Sequence, residues 1–267
     1  MRVHYGSEAQ QALLRRGAEM RRLTDRDPRF TYYGRTVGAT SPHEVPLALV
    51  VALARLQGSS NFSFVPDAEV PSLRAACEAQ GMTVAHYVKW EGADDALSAA
   101  RSILGAQALP GDLTLCWLDG DLPEPLRESL AETALLCGVL PPALNVLSGQ
   151  TQPGVACLAH DAAGRVVSCA AAAGYLHPDH PMGGHQCWWG MLATRPDRRG
   201  DRLSLRLGAH ALLEMHRRYG VTGAMTGVEP GNRASEAICR RMGLAPRGLS
   251  ILGMADPALL PGGRMTK

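Results

Sequence analysis

The sequence has no Cys-x-x-Cys pair, almost no lysine and no long apolar run, and these absences narrow the class of protein. Its seven cysteines are odd in number and scattered through mostly apolar stretches. That pattern is typical of reduced thiols in a cytoplasmic protein and not of a disulfide framework. Only two of the 27 basic residues are lysines, from which we draw no function.

The charge and hydropathy patterns exclude two further classes. The formal net charge is only +2, with no run of one sign at either end, so a protein that coats polyanions is not expected. No stretch approaches the roughly 20 apolar residues that a membrane-spanning helix needs. The N-terminal residues lack the apolar core of a signal peptide. We therefore expect a cytoplasmic protein with no membrane partner.

The length favours two domains. At 267 residues, 46% of them hydrophobic, the chain is ordinary in composition but close to twice the usual domain length. A turn-rich stretch at 105–112 is the predicted boundary. Residues 1–110 would then form an N-terminal α/β segment, and residues 111–267 a second domain.

The order of predicted elements defines the fold class. Ser7 and Gln10 form a capping box before the first helix, and a second box, Ser41 to Glu44, predicts a helix that starts at Pro42 and stops at Gly58. Hydrophobic periodicity predicts the remaining helices at 66–80, 94–104, 123–137, 203–219 and 232–242. It predicts the main strands at 61–65, 82–90, 113–118, 154–160, 165–175, 221–228 and 249–253, with a further strand that follows the loop 176–185 and ends at 193. This α/β pattern predicts a mixed, mostly antiparallel sheet flanked by helices.

Two segments of the chain share one pattern. The segments 61–84 and 223–246 both predict strand, turn, helix, glycine and strand, and Cys77 and Gly81 match Cys239 and Gly243 at one common offset. Any strand-helix-strand unit has this general form. The alternative is that the first third is a degenerate copy of the end of the second domain.

The stretch 188–220 carries the clearest chemical signal. An apolar strand ends in a loop with Arg195, Arg198, Arg199 and Gly200, and the loop opens directly into a helix. Unpaired N–H groups and the partial positive charge of a helix N-terminus bind phosphate, and arginines add forked donors. The alternative is a solvated turn in which aspartates neutralise the arginines.

This stretch and a second one resemble the GNAT acetyltransferase superfamily. Residues 199–204 resemble the family's (Gln/Arg)-x-x-Gly-x-(Gly/Ala) loop, and residues 232–244 are similar to its Asn-x-x-Ala/Ser-x-x-Leu-Tyr-x-x-x-Gly-Phe helix. The resemblance covers roughly 111–256. It implies a GNAT-like second domain that moves an acetyl or short acyl group from acetyl-CoA to a primary amine of a small molecule or peptide by direct attack. If the shared pattern of 61–84 and 223–246 is a true repeat, the first third would be a degenerate GNAT copy.

The resemblance also implies which residues hold the coenzyme. Backbone N–H groups of Met191, Leu192 and Ala193 would polarise the acetyl carbonyl. The remaining cofactor-binding residues would be Arg198, Arg199, Gly200, Asp201, Arg202, Leu203, Ser204 and Asn232. Arg202 and Ser204 depart from the pattern, because the family has glycine at the first place and glycine or alanine at the second. A side chain at 202 would hold the backbone away from a pyrophosphate, although a guanidinium could itself pair with phosphate.

The candidates for proton transfer are fewer. Glu229, at the end of a strand, and His185 are the candidate bases. Gln186 lies near a place where some relatives carry a catalytic glutamate, but an amide cannot be the base. Cys239 stands where the family has a tyrosine that protonates the departing thiolate. It is a structural thiol, the proton donor, or a nucleophile that carries the acetyl group covalently.

Other interpretations remain beside this one. Three histidines and a cysteine between 177 and 187 suggest zinc, but their spacing matches no common zinc pattern, so we expect no metal. The departures from the loop pattern favour a catalytically silent acyl-CoA-binding or scaffold protein. Arginines on the first helix suggest nucleic acid, which the near-neutral charge argues against: Arg15, Arg16, Arg21 and Arg22. The sequence leaves a homodimer open.

Overall fold

The computed structural model of the chain describes residues 2–106 and 108–260. Its helices are α1 Glu8–Met20, α2 Leu47–Gln57, α3 Val70–Ala79, α4 Asp94–Ala106, α5 Glu124–Leu136, α6 Leu144–Leu147, α7 Leu203–Tyr219 and α8 Arg233–Arg241. Its strands are β1 Phe30–Thr31, β2 Gly38–Ala39, β3 Ser59–Pro66, β4 Thr83–Gly92, β5 Thr114–Trp117, β6 Gly154–His160, β7 Val166–Gly174, β8 Gln186–Thr194, β9 Gly223–Val228 and β10 Ala245–Ala255. The end of the predicted second domain, 261–267, lies outside the described residues.

Within the described residues the ten strands form one sheet. Their order is β1, β2, β3, β10, β4, β9, β8, β7, β6 and β5. Neighbouring strands are antiparallel except in two pairs, β2 with β3 and β8 with β9. A helix connects each parallel pair, as parallel neighbours require. The predicted α/β class and its mixed, mostly antiparallel sheet are confirmed.

The two predicted parts of the chain interleave in this sheet. β4 comes from the first part but lies between β9 and β10, and β10 in turn lies between β3 and β4. Val88 on β4 pairs with Ser250 on β10, and these two positions are separated by the same offset as Cys77 and Cys239. Neither part therefore completes its own sheet without a strand of the other. The predicted boundary at 105–112 begins in the last turn of α4 and ends before β5, and it stays a prediction.

This common offset also relates the ends of helices. α2 is followed by Gly58 with φ 103°, and α7 by Gly220 with φ 70°. Gly81 and Gly243, with φ 79° and 72°, follow α3 and α8. Glycine is favoured at these positions because only it adopts the left-handed region without strain. The two halves thus repeat the order helix, strand, helix, strand.

Local sequence explains where α1 and α2 begin. Ser7 caps α1, and both hydrogen bonds of its capping box with Gln10 are present, which confirms the prediction. The predicted start at Pro42 is wrong, because α2 begins at Leu47. Pro46 disfavours the α region for the residue before it, so a helix cannot run through Val45 into this proline. Residues 41–45 form a turn instead.

Buried side chains form two large clusters. The first joins β3, α2, α3, α5 and α6, and the second joins α4, α7 and α8 with the strands they cover. Trp188 belongs to the first and Trp189 to the second, as the alternation of side chains along β8 predicts. None of the helices in residues 2–106 and 108–260 combines the length and apolar character that crossing a bilayer requires.

Candidate functional site

The main opening in the sheet lies between β8 and β9. The two strands pair at Gln186 with Gly223, Cys187 with Ala224 and Trp188 with Met225, and no ladder pair follows in the described chain. From Trp189 to Thr194 the edge of β8 that faces β9 therefore has no strand partner. Backbone N–H and C=O groups left in this way are available to a ligand. The two strands separate toward their carboxyl ends.

A β-bulge lies in β8 along this opening. Cys169 pairs with Ala193 and Ala171 pairs with Gly190, so Ala170 alone faces Met191 and Leu192. Met191 has φ 53°, one of two positive values among non-glycine residues described. A bulge leaves backbone groups out of the ladder and redirects them. Of the three predicted residues, Met191 and Leu192 thus lie in the bulge at the opening, whereas Ala193 keeps its ladder pair with Cys169 on β7.

The N-terminus of α7 lies at the wide end of the opening. Arg202 is its N-cap residue with φ 56°, and no side chain caps the first turn. Gly200 has φ 101°, and an added Cβ there would meet nothing within 4 Å. The turn is therefore open to solvent. Arg202 adopts the left-handed conformation, which glycine adopts without strain.

A chain of three hydroxyl groups fixes this turn to the sheet. Thr194 Oγ1 shares a hydrogen bond of 2.6 Å with Ser204 Oγ and one of 2.9 Å with Ser168 Oγ. The Ser168 hydroxyl also donates to the Ala193 carbonyl at 2.8 Å. Ser204 thus connects the first turn of α7 to the end of β8, which holds the unpaired N–H groups of the helix in place.

The arginines of the loop divide into paired and unpaired groups. The Arg198 guanidinium bonds Asp112 at 2.7 Å and Asp201 at 3.0 Å. The side chains of Arg199 and Arg202 are exposed and make no hydrogen bond or ion pair with any described residue. Of the predicted phosphate ligands, Arg199 and Arg202 therefore carry uncompensated charge. Arg198 is already paired with two carboxylates, and one of these belongs to Asp201, itself a predicted ligand.

Aspartates neutralise fewer of these arginines than the solvated-turn interpretation requires. Asp197 pairs with Arg165 of the neighbouring hairpin at 2.9 Å, not with an arginine of the loop. The Arg165 guanidinium holds the pKa of the Asp197 carboxyl below its ordinary value. The turn therefore keeps net positive charge where the helix N-terminus is already positive.

The structure separates the two candidate bases. Glu229 directly follows β9 and is exposed at the carboxyl end of the strand, the end at which α7 begins. His185 precedes β8 and is exposed at the other end of the opening. Because β8 and β9 are parallel, these two side chains lie at opposite ends of the same pair of strands. Only Glu229 shares an end with the α7 turn.

The second motif forms α8 as predicted. Asn232 is its N-cap residue, and the side-chain oxygen accepts a hydrogen bond from the Ser235 N–H at 3.2 Å. Cys239 is 2% exposed, and burial raises the pKa of its thiol to about 12. So weak an acid is a poor proton donor to a departing thiolate, whose ordinary pKa is about 8.5. This geometry favours the structural role of the thiol.

Sequence reasoning did not single out a buried polar network beside this opening. Lys89 on β4 is 0% exposed, and its ammonium donates to Glu91 Oε1 at 2.8 Å. Gln186 Nε2 donates to the same oxygen at 3.0 Å, and the Tyr175 hydroxyl donates to Gln186 Oε1 at 2.5 Å. A carboxylate of the first part thus contacts Gln186, which the sequence resemblance places near the position of a catalytic glutamate. The signal in the sequence is Lys89 and Glu91 in alternate positions at the end of a predicted strand.

Burial and an aromatic contact affect the Lys89 ammonium of this network. Burial lowers the pKa of Lys89, and the adjacent Glu91 opposes that shift. The Lys89 ammonium also lies 3.6 Å from the centroid of the Phe64 ring. A buried ammonium is tolerated because a carboxylate and a ring face it.

The histidine-rich loop does not assemble a metal site in the described residues. His180 stacks on Phe64 with ring centroids 5.5 Å apart, and burial lowers the pKa of this imidazole. His177 Nδ1 accepts a hydrogen bond from the Asp179 N–H at 3.0 Å. These imidazoles make separate contacts.

The basic face of α1 is partly used within the fold. Arg16 donates to the Gln57 carbonyl at 3.4 Å and Arg21 to the Thr151 carbonyl at 2.8 Å. Arg15 and Arg22 remain exposed. The four arginines therefore do not form one free cationic surface.

A cavity of about 520 Å³ lies beside α8. Its lining is mostly apolar, and the Arg240 guanidinium lies 5.3 Å from the centroid of the Trp90 ring. The lining residues are Val88, Trp90, Val228, Glu236, Arg240, Leu244, Ala245 and Pro246. No residue of the α7 turn lines it, so the cavity and the α7 turn are distinct features.

Comparison with known proteins places the fold. No protein-family model matches the sequence, and no curated protein matches it. A GCN5-related N-acetyltransferase from Kribbella flavida is 19% identical, with 92% of this chain and 95% of that one covered and a TM-score of 0.55. A tandem GNAT protein from the clavulanic acid biosynthesis pathway is 15% identical, with 77% and 66% covered and a TM-score of 0.52. A Drosophila protein is 13% identical, with 96% and 91% covered and a TM-score of 0.54.

These likenesses establish the architecture. The chain has the fold of the GNAT N-acetyltransferases, as the two motifs predicted. Identities as low as these show the fold and leave the chemistry to the residues of this chain. The chain spans 66% of the length of the tandem protein and 95% of the Kribbella protein.

Proposed function

We propose that the chain is an acyltransferase that moves an acetyl or other short acyl group from acetyl-CoA to a primary amine. The observation that carries this proposal is the opening between β8 and β9, with the uncapped N-terminus of α7 at its wide end. An anion-binding helix end and unpaired strand groups then border the same opening. The bound thioester would supply an activated carbonyl. The residues of this chain would bind the diphosphate, polarise that carbonyl and remove the amine proton.

The diphosphate would bind at the first turn of α7. The N–H groups of Leu203 and Ser204 have no partner within the helix, and the side chains of Arg199 and Arg202 are unpaired. Gly200 leaves space at the turn. Charge-assisted hydrogen bonds from guanidinium to phosphate are about twice as strong as neutral ones. Arg202 would thus offer a charged side chain to the diphosphate at the position where the family has glycine. Its backbone is in the left-handed conformation.

The carbonyl and the amine would meet at the bulge. Backbone N–H groups of the bulge residues Met191 and Leu192 would stabilise negative charge on the carbonyl oxygen. The amine nitrogen bonds to the carbonyl carbon, the carbon–sulfur bond breaks, and the sulfur leaves as thiolate. We assign removal of the amine proton to Glu229, directly or through water, because it shares an end of the opening with the α7 turn. Cys239 takes no part, since its thiol is buried.

The amine would approach from the side of the sheet opposite α7. Met191 and Trp188 both belong to the first cluster, whereas Trp189 packs on α7, where its Nε1 donates to the Gly208 carbonyl at 2.8 Å. The donor and the acceptor would therefore reach the opening from different faces. Direct attack needs both present at once, and this arrangement keeps their binding groups apart.

The alternative is a catalytically silent acyl-CoA-binding protein. Two observations favour it: Arg202 stands at a glycine position, and the thiol at the acid position is buried. Such a protein would have the same donor site but no turnover. Binding and turnover must therefore be measured separately.

The test uses the full chain. Acetyl-CoA at millimolar concentration is expected to raise Tm, because a ligand that binds only the folded state stabilises it. Free thiol release is then followed with a panel of amines, with Glu229→Gln beside the parent protein. Release that falls at least tenfold in Glu229→Gln at unchanged acetyl-CoA affinity supports the enzyme. Binding without release for every amine supports the silent protein, and no Tm shift contradicts both.

We also propose that residues 1–110 are a degenerate GNAT copy without a donor site. The helix ends and strands repeat at the common offset, but Pro46 stands at the N-cap of α2 and Glu44 precedes it. The Thr40 carbonyl accepts from the Ser63 and Phe64 N–H groups, so the turn before α2 is bonded to β3 and leaves no opening. One acetyl-CoA bound per chain in a calorimetric titration is the expected result, and two would contradict it.

A further inference from the structure

Two cations in the described chain are buried, and they differ in one respect. Lys89 is 0% exposed and has the Glu91 carboxylate at 2.8 Å. Arg35 is 7% exposed and forms no ion pair with any described residue. A guanidinium stays charged in proteins, so burial cannot neutralise Arg35 as it can neutralise a lysine. A buried charge normally has a counter-ion, because a charge left alone in the interior strongly destabilises the fold.

The contacts of Arg35 account for only part of its guanidinium. Nη2 donates to the Leu140 carbonyl, and the charge lies 5.6 Å from the centroids of both the Tyr33 and Trp188 rings. Nε is buried and has no hydrogen-bond partner in residues 2–106 and 108–260. A carbonyl and two rings stabilise a cation but do not neutralise it. One buried N–H donor of the guanidinium therefore has no acceptor among the described residues.

The position of Arg35 is fixed by close packing. Gly34 has φ 95°, and an added Cβ would lie 2.9 Å from Pro142 Cβ and 3.2 Å from the Ala143 nitrogen. The Gly34 carbonyl accepts from the Ala143 N–H at 2.7 Å. This contact holds the segment Tyr33 to Arg35 against the loop before α6. The guanidinium is therefore held in place by the fold and is not a mobile surface group.

Arg35 lies beside the opening in the sheet. Its partner Trp188 is the last residue of β8 that pairs with β9, and the Tyr33 ring stacks on Trp188 with centroids 4.8 Å apart. Trp188 and Met191 belong to the same buried cluster, on the face from which an amine would approach. The unpaired charge thus faces the acceptor side and not the α7 turn.

We propose that Arg35 binds a carboxylate of the acceptor, so that the substrate is an amine that also carries a carboxyl group. This inference rests on the proposed acyl transfer for its biological setting, while the anion site itself does not depend on it. The planar fork of a guanidinium matches a carboxylate. The stacked rings of Tyr33 and Trp188 beside it favour a carboxylate attached to an apolar or aromatic group.

The direct test measures Tm of the full chain with benzoate and with its neutral isostere benzamide at equal ionic strength. Benzoate at about ten times its Kd is expected to raise Tm by about 3 °C, and benzamide to leave it unchanged. The shift should disappear in Arg35→Met and persist in Arg22→Met, which removes an exposed arginine. It should also persist in the Arg199→Ala/Arg202→Ala variant, because that anion site is separate.

Several results would overturn the proposal. They are a benzoate shift that survives in Arg35→Met, an equal shift with benzamide, no shift with benzoate, or a shift with inorganic phosphate alone. If Arg35→Met does not fold, Arg35→Gln takes its place, since the amide can still donate to the Leu140 carbonyl.

A second readout separates this proposal from the proposed function. In the thiol-release panel, amines that carry a carboxylate should have kcat/KM at least tenfold above their carboxamides, and Arg35→Met should bring the ratio close to one. Equal rates for acids and amides overturn the inference and leave the acyltransferase intact. If benzoate raises Tm and acetyl-CoA does not, the anion site at Arg35 is supported and the proposed acyltransferase activity is contradicted.

Discussion

Glu91 on β4 accepts a hydrogen bond from Gln186 on β8 at 3.0 Å, across the intervening strand β9. The two residues are 95 positions apart, and they come from the two predicted parts of the chain. The interleaved sheet brings them together, since β4 occupies the place beside β9. A carboxylate thus stands next to an amide that cannot itself act as a base.

The Lys89–Glu91 pair gives a stability prediction. Glu91→Gln should cost about 3–5 kcal/mol at pH 7, because it leaves a buried ammonium without a counter-charge. Lys89→Met should cost less, since Glu91 is 13% exposed on its side chain and keeps water access. The double variant should recover part of the Glu91→Gln loss. Urea unfolding of the four proteins measures the coupling.

The pH dependence of Glu91→Gln checks the cause. The pKa of Lys89 in the folded chain lies below its ordinary 10.5, and without Glu91 it should fall further. A lowered lysine pKa destabilises the fold at low pH, and the penalty fades as pH rises toward that ordinary value. The gap between Glu91→Gln and the parent should therefore narrow from pH 7 to pH 10. A constant gap would show that lost packing causes it.

The left-handed conformation of Arg202 predicts a difference between two substitutions. Arg202→Gly and Arg202→Ala both remove the guanidinium, but only glycine adopts φ 56° without strain. The glycine variant should be more stable by about 1 kcal/mol. Thermal unfolding of both proteins without ligand measures the difference. Equal stabilities would mean that the N-cap of α7 is not left-handed.

We predict that the Cys239 thiol takes no part in acyl transfer. Cys239→Ala should leave turnover and the pH–rate profile unchanged, because burial raises the pKa of this thiol to about 12. It should lower stability by about 1 kcal/mol through lost packing. Loss of the alkaline limb, the fall in rate at high pH, would reinstate the thiol as proton donor.

Glu214 links stability to acid pH. Hydrogen bonds from Arg217 and Arg218 lower the pKa of Glu214 to about 2, from an ordinary 4.5. A lowered carboxyl pKa stabilises the fold above its ordinary value, and the contribution disappears as pH falls toward the folded-state pKa. Glu214→Gln should therefore be less stable than the parent at pH 7, by under about 1 kcal/mol because Arg217 is exposed. The difference should close between pH 4.5 and 2, and a gap that persists there would point to helix packing.

Local patterns predicted most of the fold. Glycines at 58, 81 and 243 mark helix ends, and α7 has the bounds that its periodicity predicts. The same patterns placed the arginine loop before α7 and started the last helix at Asn232, which is the N-cap residue of α8. Pro46 shows the limit of a motif, because the capping box at Ser41 lies before a proline that a helix cannot pass. β2 and α6 are too short for periodicity to detect.

The candidate site was less predictable because it depends on pairing between distant strands. Nothing in the local sequence around Glu91 or Arg35 indicates that each contacts a residue of β8. Glu91 does so only because β4 lies between β10 and β9 in the sheet. Burial also changes the chemistry of residues that the motifs place correctly, as it does for Cys239. The pairing of Arg198 with Asp112, 86 residues away, likewise follows from tertiary structure.

Calorimetric titration with acetyl-CoA tests the central claim most directly, with the parent protein, Arg199→Ala/Arg202→Ala and Arg22→Ala compared. The α7 turn predicts one site per chain in the parent, at least tenfold weaker binding in the double variant, and unchanged affinity in Arg22→Ala. Equal affinity in all three proteins, or no binding by the parent, would contradict the assignment of this turn to the coenzyme.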